Sequence, residues 1–354
     1  MKKVVVAMSG GVDSSVAAAL LKQQGFEVIG MMLRLWSESG KEDSNRCCTP
    51  DAMALARRVA GILDIPFYVI DSKEIFKDTV VQYFLDGYAR GETPNPCLVC
   101  NRQIRWRFLL DHALAFGADF MATGHYARIA TDNQGRKQLL RARDRSKDQS
   151  YVLHVLNQEK LTKALFPIGD YPKPEIRQIA GSFGLPTASR HDSQDLCFLA
   201  GDDYRNFLKR NAAGLFVPGR IVSQSGELLG EHTGLVNYTI GQRKGLDVAS
   251  SVPLYVLRKN VSTNTLVVGE KVELGLSELV ADDVNWVSGE SFIQPFRAEV
   301  KIRYTAKEAD ALITPLENGS RVLIRFDTPL RDITAGQAAV FFQSEVVIGG
   351  GIIR

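Results

Sequence analysis

A run of small and polar residues near the N-terminus has the residue types and spacing of a phosphate site. In order, the run contains Ala7, Met8, Ser9, Gly10, Gly11, Val12, Asp13, Ser14 and Ser15. The apolar residues at 4–8 predict a buried strand, the glycines a tight turn, and the residues that follow a helix. Backbone N–H groups of such a turn, hydroxyl donors and the positive end of the helix all attract anions. The run therefore predicts a site for pyrophosphate.

The spacing within this run separates it from the other common phosphate loop. A Walker A loop places four residues between its glycines and then a lysine, whereas here the glycines are adjacent and Asp13 follows. Transfer of a terminal phosphate is therefore not expected. The string resembles the PP-loop of ATP pyrophosphatases, which split ATP between the first two phosphates and leave AMP on a carbonyl oxygen. A turn without a ligand would not need three serines and an aspartate around it.

Cysteines supply a second set of reactive groups. Cys97 and Cys100 form a C-x-x-C pair after Pro94 and Pro96, in a loop expected to end at a helix start, and Cys197 lies far along the chain. Thiols at helix N-termini deprotonate more readily than free cysteine. The three fit a cluster with one open iron, or a nucleophile with a disulfide partner.

Two further interpretations concern the remaining histidines and cysteines. A structural zinc site would be completed by His125 or His191. Cys47 and Cys48, just before Pro50 at a predicted helix start, are interpreted as structural.

Composition limits the class of protein. The chain has 354 residues, 45% hydrophobic and 23% charged, with a formal net charge of +3 and five cysteines. This length predicts two or three domains of a soluble globular protein. No membrane span, signal peptide or disulfide framework is indicated, so the cytoplasm is expected. A charge this small does not by itself indicate nucleic-acid binding.

The elements that must position these residues divide the chain into three parts. Residues 1–200 alternate strands and helices, which predicts an α/β domain with a parallel sheet covered on both faces. Residues 201–275 predict a small β-rich central domain, and residues 276–354 an all-β barrel. The predicted helices are 12–24, 51–63, 72–90 and 101–116. The predicted strands are 4–8, 27–33, 66–70, 120–122, 217–222, 235–240, 254–257, 266–268, 296–304, 321–326, 338–342 and 346–348.

Five motifs, in order, give the chain a specific resemblance. They are S-G-G-V-D-S-S at 9–15, T-P-N-P-x-x-x-C-N at 93–101, A-T-G-H-Y-A at 122–127, K-D-Q-S-Y at 147–151 and C-F at 197–198. Together they resemble the bacterial tRNA-specific 2-thiouridylase family, and Arg303-Tyr304 and Gly336-Gln337 extend the likeness over essentially the whole chain. The resemblance implies ATP-dependent 2-thiolation of the wobble uridine, position 34, in tRNA anticodons.

The same resemblance implies roles for individual residues. It implies that ATP is bound by Ala7, Met8, Ser9, Gly10, Gly11, Val12, Asp13, Ser14, Leu33 and Gly124, with Mg²⁺ or the phosphates at Asp13. It implies a persulfide on Cys197 and a nucleophile at Cys100, with a disulfide between them. It implies that the target base and tRNA meet Asn95, Pro96, Cys97, His125, Lys147, Asp148, Gln149, Arg303, Tyr304 and Gln337.

Implied partners are a tRNA and a source of sulfur. The acceptors implied are the lysine, glutamate and glutamine tRNAs, and the donor is a cysteine desulfurase, a relay protein or inorganic sulfide. Two arginine-rich runs are candidate phosphate contacts because they adjoin the cysteines and the K-D-Q motif. The runs comprise Arg102, Arg105 and Arg107, and Arg141, Arg143, Arg145 and Lys147.

Position 97 departs from the commoner family pattern, which has aspartate there. Because thiolate is the better iron ligand, Cys97 together with Cys100 and Cys197 predicts a 4Fe–4S cluster that binds hydrosulfide. Two other function classes stay open from the residues alone. One is a PP-loop ligase like GMP synthetase, and the other is a non-catalytic, metal-containing RNA-binding protein.

Overall fold

The computed structural model describes residues 1–41, 49–190, 196–199, 201–331 and 333–354. The predictions for Cys47, Cys48 and His191 fall outside these residues. In the ranges that the structure describes, no helix has the length and apolar character needed to cross a membrane.

The N-terminal part is a parallel sheet with helices packed on it, which confirms the predicted α/β class. Its strands are β1 (Lys3–Ala7), β2 (Glu27–Arg34), β3 (Phe67–Asp71), β4 (Phe120–Thr123) and β7 (Ala164–Leu165), in the order β3-β2-β1-β4-β7. Strand β1 is central and pairs in parallel with β2 and β4. The turn after β1 therefore lies at the carboxyl edge of the sheet, where such folds bind ligands.

Helices of this part surround the sheet. They are α1 (Val12–Gln23), α2 (Pro50–Ile62), α3 (Lys73–Phe76), α4 (Gln82–Ala89), α5 (Pro96–Val99), α6 (Leu110–Ala115), α7 (Ser150–Leu153), α8 (Gln158–Leu161) and α9 (Lys173–Ser182). π-Helical segments join α3 to α4 at Lys77–Val81 and α5 to α6 at Cys100–Leu109. Each joined pair makes one continuous helical rod. The second, at residues 96–115, is called the cysteine rod below.

The rod that carries the cysteines begins earlier than predicted. Its first residue is Pro96, because the Asn95 side chain accepts a hydrogen bond from the Cys97 N–H at 3.1 Å and proline is favoured at the first helical position. The prediction of a helix start at residue 101 was wrong. Cys97 and Cys100 consequently lie on the first helical turns.

The C-terminal part is a closed antiparallel barrel, as predicted. Its strands are β12 (Leu276–Trp286), β13 (Phe296–Lys301), β14 (Ala309–Leu316), β15 (Arg321–Leu330), β16 (Ala338–Gln343) and β17 (Val346–Ile353). The order β12-β15-β14-β13-β16-β17 is closed by pairing of β12 with β17. Strands β12 and β14 were not predicted.

A hairpin from the N-terminal part extends this barrel. It consists of β5 (Ala127–Thr131) and β6 (Lys137–Arg141), and β6 pairs with β17 where Leu140 faces Val346. This pairing was not predicted, because it joins residues that are far apart in sequence. The hairpin ties the nucleotide-binding part to the barrel.

The central part is a small sheet with one helix before it. The helix is α10 (Tyr204–Asn211), and the strands are β8 (Gly219–Val222), β9 (Leu228–His232), β10 (Tyr255–Asn260) and β11 (Thr265–Gly269), in the order β10-β11-β8-β9. The strand predicted at 235–240 was wrong, because Leu235–Asn237 forms a 3₁₀ turn. The hydrophobic residues of this turn are buried in two different clusters, Leu235 and Tyr238 in one and Val236 in the other. Their burial accounts for the apolar pattern that suggested a strand.

The hairpin is fastened to the barrel by a buried arginine. Arg141 is 4% exposed and donates hydrogen bonds to Glu308 at 2.6 Å and Glu299 at 3.1 Å. Its guanidinium lies 3.7 Å from the centre of the Phe342 ring, in the range of a cation–π contact. A partly desolvated ion pair of this kind is costly to break from one side.

We expect Arg141→Met to destabilise the protein by about 1–3 kcal/mol, since two carboxylates lose their partner at a partly buried interface. The midpoint of urea unfolding measures the loss. Arg297→Met is the matched control, because the Arg297–Asp327 pair lies on the barrel surface with side chains 59% and 49% exposed. Its removal should shift the urea midpoint much less, because exposed ion pairs contribute little to stability. Equal effects would contradict the role given to Arg141.

Candidate active site

The loop between β1 and α1 is arranged as an anion cradle. Gly10 has a φ of +72°, and a Cβ there would lie 2.4 Å from the carbonyl oxygen of Ala52. The Ser9 N–H donates to Ser14 Oγ at 3.2 Å, and Ser14 Oγ and Ser15 Oγ both donate to the Gly11 carbonyl. The turn is thus held by its own hydroxyls and opens at the N-terminus of α1.

Asp13, on the first turn of α1, is held by two groups from distant parts of the chain. Its carboxylate accepts from Lys173 Nζ at 2.8 and 2.9 Å and from the Tyr126 hydroxyl at 2.8 Å. The Lys173 side chain is 10% exposed and the Asp13 side chain 30%. A desolvated ammonium therefore stands beside the phosphate loop.

A second cation contacts the same loop. Arg190 Nη1 donates to the Gly10 carbonyl at 2.7 Å. The sequence analysis did not identify Lys173 or Arg190, because neither lies near the loop in sequence. The only local indication for Lys173 was its place at the first position of helix α9, directly before Pro174.

Strand β4 ends directly against the phosphate loop. A Cβ on Gly124 would lie 2.6 Å from the Ser14 nitrogen and 3.0 Å from the Asp13 Cβ, so only glycine fits. Gly124 thus lies against the phosphate loop, and its contact with the nucleotide stays a prediction. Leu33, predicted to border the adenine, lies near the end of β2 and is partly buried against two of the hydrophobic clusters.

The next residue, His125, connects this strand end to the cysteine rod. The ring is 7% exposed, with Nε2 at 2.9 Å from Arg105 Nη1 and Nδ1 at 2.7 Å from Thr123 Oγ1. Burial, and then the Arg105 charge, hold the pKa of His125 well below its usual value. The neutral ring accepts from Arg105, which can only donate, and so donates from Nδ1 to Thr123. Both ring nitrogens are engaged within the protein.

The C-x-x-C segment is fixed through its backbone. The Cys97 N–H donates to the Asn95 side chain at 3.1 Å, and Asn101 Nδ2 donates to the Cys97 carbonyl at 3.1 Å. Cys97 is exposed, whereas Cys100 is buried. The exposed thiol thus sits on a rigid first turn.

Cys100 and Cys197 belong to one hydrophobic cluster, although they are far apart in sequence. Phe198 anchors the second of them, with its ring centre 5.2 Å from that of Phe84 and 5.3 Å from that of Phe207. The C-F motif therefore places a partly buried thiol beside the cysteine rod. All three described cysteines are thiols rather than disulfides.

The thiols do not form a metal centre in this structure. Within the described ranges, no three histidine, cysteine, aspartate or glutamate side chains come together as metal ligands. Cys97, Cys100 and Cys197 thus do not fit a cluster in the arrangement seen. A zinc site formed with His125 is not seen either, since the nitrogens of that ring bond to Arg105 and Thr123.

The K-D-Q motif supports the site through hydrogen bonds to neighbouring backbone groups. Asp148 is buried and accepts from the N–H groups of Ala142 and Ser150. The Gln149 side-chain oxygen accepts a hydrogen bond from the Tyr126 N–H, and the Gln149 N–H donates to the Tyr126 carbonyl. The Tyr126 hydroxyl in turn donates to the Asp13 carboxylate. Lys147 begins this motif at the surface loop, where its N–H donates to the Asp144 carbonyl.

Tyr304 of the C-terminal part is linked to the cysteine segment through Tyr151, which also interacts with the Asn95 side chain. Burial is the main cause that raises the pKa of Tyr304, and the charges of Asp148 and Cys97 raise it further. Its ring is 41% exposed and lies 6.1 Å from that of Tyr151. Arg303 donates to Thr334 Oγ1 at 2.8 Å.

The arginine-rich runs are largely engaged inside the protein. Arg102 forms an ion pair with Asp283, Arg105 bonds to His125 and Arg107 to Gln103. In the second run, Arg141 is buried in the barrel interface and Arg145 pairs with Glu345. Arg141 is therefore a structural residue, whereas the bonds of Arg102, Arg107 and Arg145 lie at the exposed surface, and their contact with phosphate stays a prediction.

The fold and the site together define a class. A central parallel strand that leads through a serine- and glycine-rich turn into a helix, with two cations at the turn, defines a nucleotide-binding protein of the PP-loop class. Family profiles match the whole chain in three parts, described as a tRNA methyl transferase HUP domain at 2–201, a tRNA methyl transferase PRC-barrel domain at 205–270 and an aminomethyltransferase beta-barrel domain at 276–353.

Full-length relatives narrow this class to one family. The tRNA-specific 2-thiouridylase MnmA of Acetivibrio thermocellus is 46% identical over 357 residues, covering 100% of this chain and 99% of that protein. The protein of the same name from Desulfitobacterium hafniense is 47% identical over 362 residues, covering 99% and 98%. The chain belongs to the MnmA family of tRNA-specific 2-thiouridylases.

Solved structures resemble the chain more distantly. The U34-tRNA thiolase NcsA from Methanococcus maripaludis, solved with its [4Fe-4S] cluster, aligns with a TM-score of 0.36 and 21% identity, covering 60% of this chain and 68% of that one. A likeness this low carries no argument about chemistry.

We expect Gly10→Ala to lower ATP affinity at least about tenfold, because a methyl group would enter the space of the Ala52 carbonyl and displace the loop. Isothermal titration with ATP measures the effect. Gly117→Ala is the matched control: its φ is +75° but nothing lies within 4 Å of the added atom. That control should lose only about 1 kcal/mol of stability and bind ATP normally. Normal ATP binding by Gly10→Ala would remove the loop from the nucleotide site.

Proposed function

We propose that this chain uses ATP to replace the C2 oxygen of the wobble uridine in tRNA by sulfur. The observation that carries the proposal is the Arg105–His125 contact at 2.9 Å, which joins the cysteine rod to the strand end at the phosphate loop. An activating site and a sulfur site that are joined in this way suit a reaction in which one group must leave as another arrives. Relatives that bear the 2-thiouridylase name over their full length support the same reaction.

The activating half-reaction belongs to the phosphate loop. Uracil C2 is a poor electrophile until its oxygen is adenylated, and the loop from Ser9 to Ser14 would hold the departing pyrophosphate. Lys173 and Arg190 would add positive charge where negative charge develops. Mg²⁺ suits the hard carboxylate oxygens of Asp13 and would neutralise phosphate charge when bound with ATP.

The sulfur half-reaction belongs to Cys100 and Cys197. A donor protein would load Cys197 as a persulfide, and the Cys100 thiolate would attack Sγ of Cys197, breaking its bond to the outer sulfur. That step forms the Cys100–Cys197 disulfide and expels hydrosulfide, which adds to C2 as AMP leaves with the former C2 oxygen. A dithiol reductant then restores both thiols. The shared apolar cluster would exclude water from the persulfide.

Recognition of the tRNA falls to the surface between the cysteine segment and the barrel. The exposed Tyr304 ring offers a stacking face for an unpaired base, beside Asn95, Pro96 and Cys97. Lys147, Arg303 and Gln337 lie around the same opening in our proposal. The lysine, glutamate and glutamine tRNAs are the proposed acceptors, and the cytoplasm is the proposed compartment.

The two half-reactions should separate by mutation. We expect Asp13→Ala to reduce tRNA-dependent pyrophosphate release by about 10²-fold or more, the scale of losing a preorganised charge. Cys197→Ser should abolish thiolation and keep pyrophosphate release, because adenylation does not need sulfur. Pyrophosphate release and 2-thiouridine content, each measured with purified tRNA, report the two steps.

Asp64→Ala is the control for this experiment, since Asp64 is a fully exposed carboxylate at 3.8 Å from Lys22. It should leave both activities unchanged. Equal loss of both activities in Cys197→Ser would argue against a separate sulfur step. Pyrophosphate release that depends on xanthylate rather than tRNA would indicate a ligase of the GMP-synthetase kind.

The residue at position 97 decides between the two sulfur routes. On the persulfide route, Cys97→Asp should keep thiolation within about threefold, because aspartate is close to cysteine in size and the position is exposed. Metal analysis of anaerobically purified wild-type protein should then find no iron. About four irons per chain, lost together with thiolation in Cys97→Asp, would establish the cluster predicted from sequence and overturn the persulfide route.

A further inference from the structure

A loop of the barrel forms hydrogen bonds with both backbone polar groups of Thr93, its N–H and its carbonyl. The Thr93 N–H donates to the Ala335 carbonyl at 2.9 Å, and Gln337 Nε2 donates to the Thr93 carbonyl at 2.6 Å. Between these two bonds, Gly336 has a φ of +89°, and a Cβ there would lie 3.0 Å from the Glu92 Cβ. The barrel loop is therefore packed against this peptide with no room for another side chain.

Neighbouring residues add to the same attachment. Glu92 accepts from Arg354, which follows barrel strand β17, at 3.3 Å, and from Arg90 at 2.9 Å. The Tyr151 hydroxyl donates to the Ala338 carbonyl at 3.0 Å and also interacts with the Asn95 side chain. The segment from Glu92 to Asn95 is thus tied to the barrel along its length.

This segment leads directly into the cysteine rod. Pro94 packs against Gly87 of α4, where a Cβ would lie 2.7 Å from the proline Cγ. Pro94 and Pro96 each have a restricted φ, and Asn95 caps the helix through the Cys97 N–H. With so little freedom between Thr93 and Cys97, a shift of the Thr93 peptide must move the first turn of the rod.

We propose that Gln337 is a positioning residue of the sulfur site: through the Thr93 peptide it sets the position of Cys97 and Cys100 before any RNA is bound. The contact to RNA that the sequence suggested for this glutamine is then not its first role. The barrel acts as a part of the cysteine site and not only as an RNA-binding surface. The importance of this position rests on the proposed function, whereas the positioning itself is a property of the free protein.

The test measures thiol reactivity in full-length protein without RNA. We expect Gln337→Met to lower the iodoacetamide alkylation rate of Cys97 at neutral pH by about fivefold, the scale set by one hydrogen bond, and to move the midpoint of its rate–pH profile upward. The reason is that a displaced helix start stabilises the thiolate less. Peptide mass spectrometry assigns the alkylation to Cys97 or Cys100.

Two controls isolate the contact. Gln343→Met removes a glutamine at the far end of β16, the strand that follows Gln337; its Nε2 lies 3.4 Å from the Arg297 carbonyl, and its removal should leave the profile unchanged. Thr93→Val keeps the peptide group and removes a buried hydroxyl for which the described residues show no hydrogen-bond partner, so its profile should also be unchanged. Gln337→Asn, which retains the amide but shortens its reach, should behave like Gln337→Met.

A wild-type alkylation profile in both Gln337→Met and Gln337→Asn would overturn the proposal, and weaker tRNA binding in the same variants would then assign Gln337 to RNA alone. In steady-state thiolation, positioning predicts a lower kcat with an unchanged KM for tRNA. Because alkylation needs neither ATP nor tRNA, its outcome stands even if the thiolation assay fails. Circular dichroism of each variant verifies that it is folded.

Discussion

The close approach of strand β4 to helix α1 is the constraint on which the site depends. At Gly124 the two backbones leave no space for a Cβ, since the Ser14 nitrogen would be 2.6 Å away. The close packing therefore fixes the end of strand β4 relative to the phosphate loop, and with it the backbone of His125. Its neutral ring accepts the Arg105 hydrogen bond, which fixes the cysteine rod in turn. A contact that excludes one methyl group thus sets the distance between two reactive centres.

The sequence predicted what short-range chemistry determines. The turn after the first strand, the parallel sheet, the barrel and a helix over 101–116 all follow from local residue patterns and are present. Lys173, Arg190 and the Thr93–Gln337 contact could not be predicted from spacing, because each joins residues that only the fold brings together. The helix start at Pro96 was within reach, since Asn95 and Pro96 form a standard N-terminal cap.

Several residues that resemble RNA contacts serve the protein itself. Asp148 accepts three hydrogen bonds within its own loop. Gln149 bonds to the backbone of Tyr126, and the hydroxyl of that tyrosine donates to Asp13. A motif identifies which residues matter but not what they touch. Where a polar side chain is buried, its partners must lie within the fold, because an unsatisfied group is costly. The burial of Asp148 together with its three internal hydrogen bonds therefore identifies it as a supporting residue.

The β5–β6 hairpin has a consequence for biosynthesis. Strand β6 emerges from the ribosome well before β17, its partner in the barrel, so for that interval it presents an open strand edge. Arg141 stands at the end of this edge and carries an unneutralised charge until Glu299 and Glu308 have been made. A charge on an unpaired edge discourages pairing with other chains. The side chain that fastens the finished fold is thus also of the kind that keeps an unpaired strand edge from pairing with other chains.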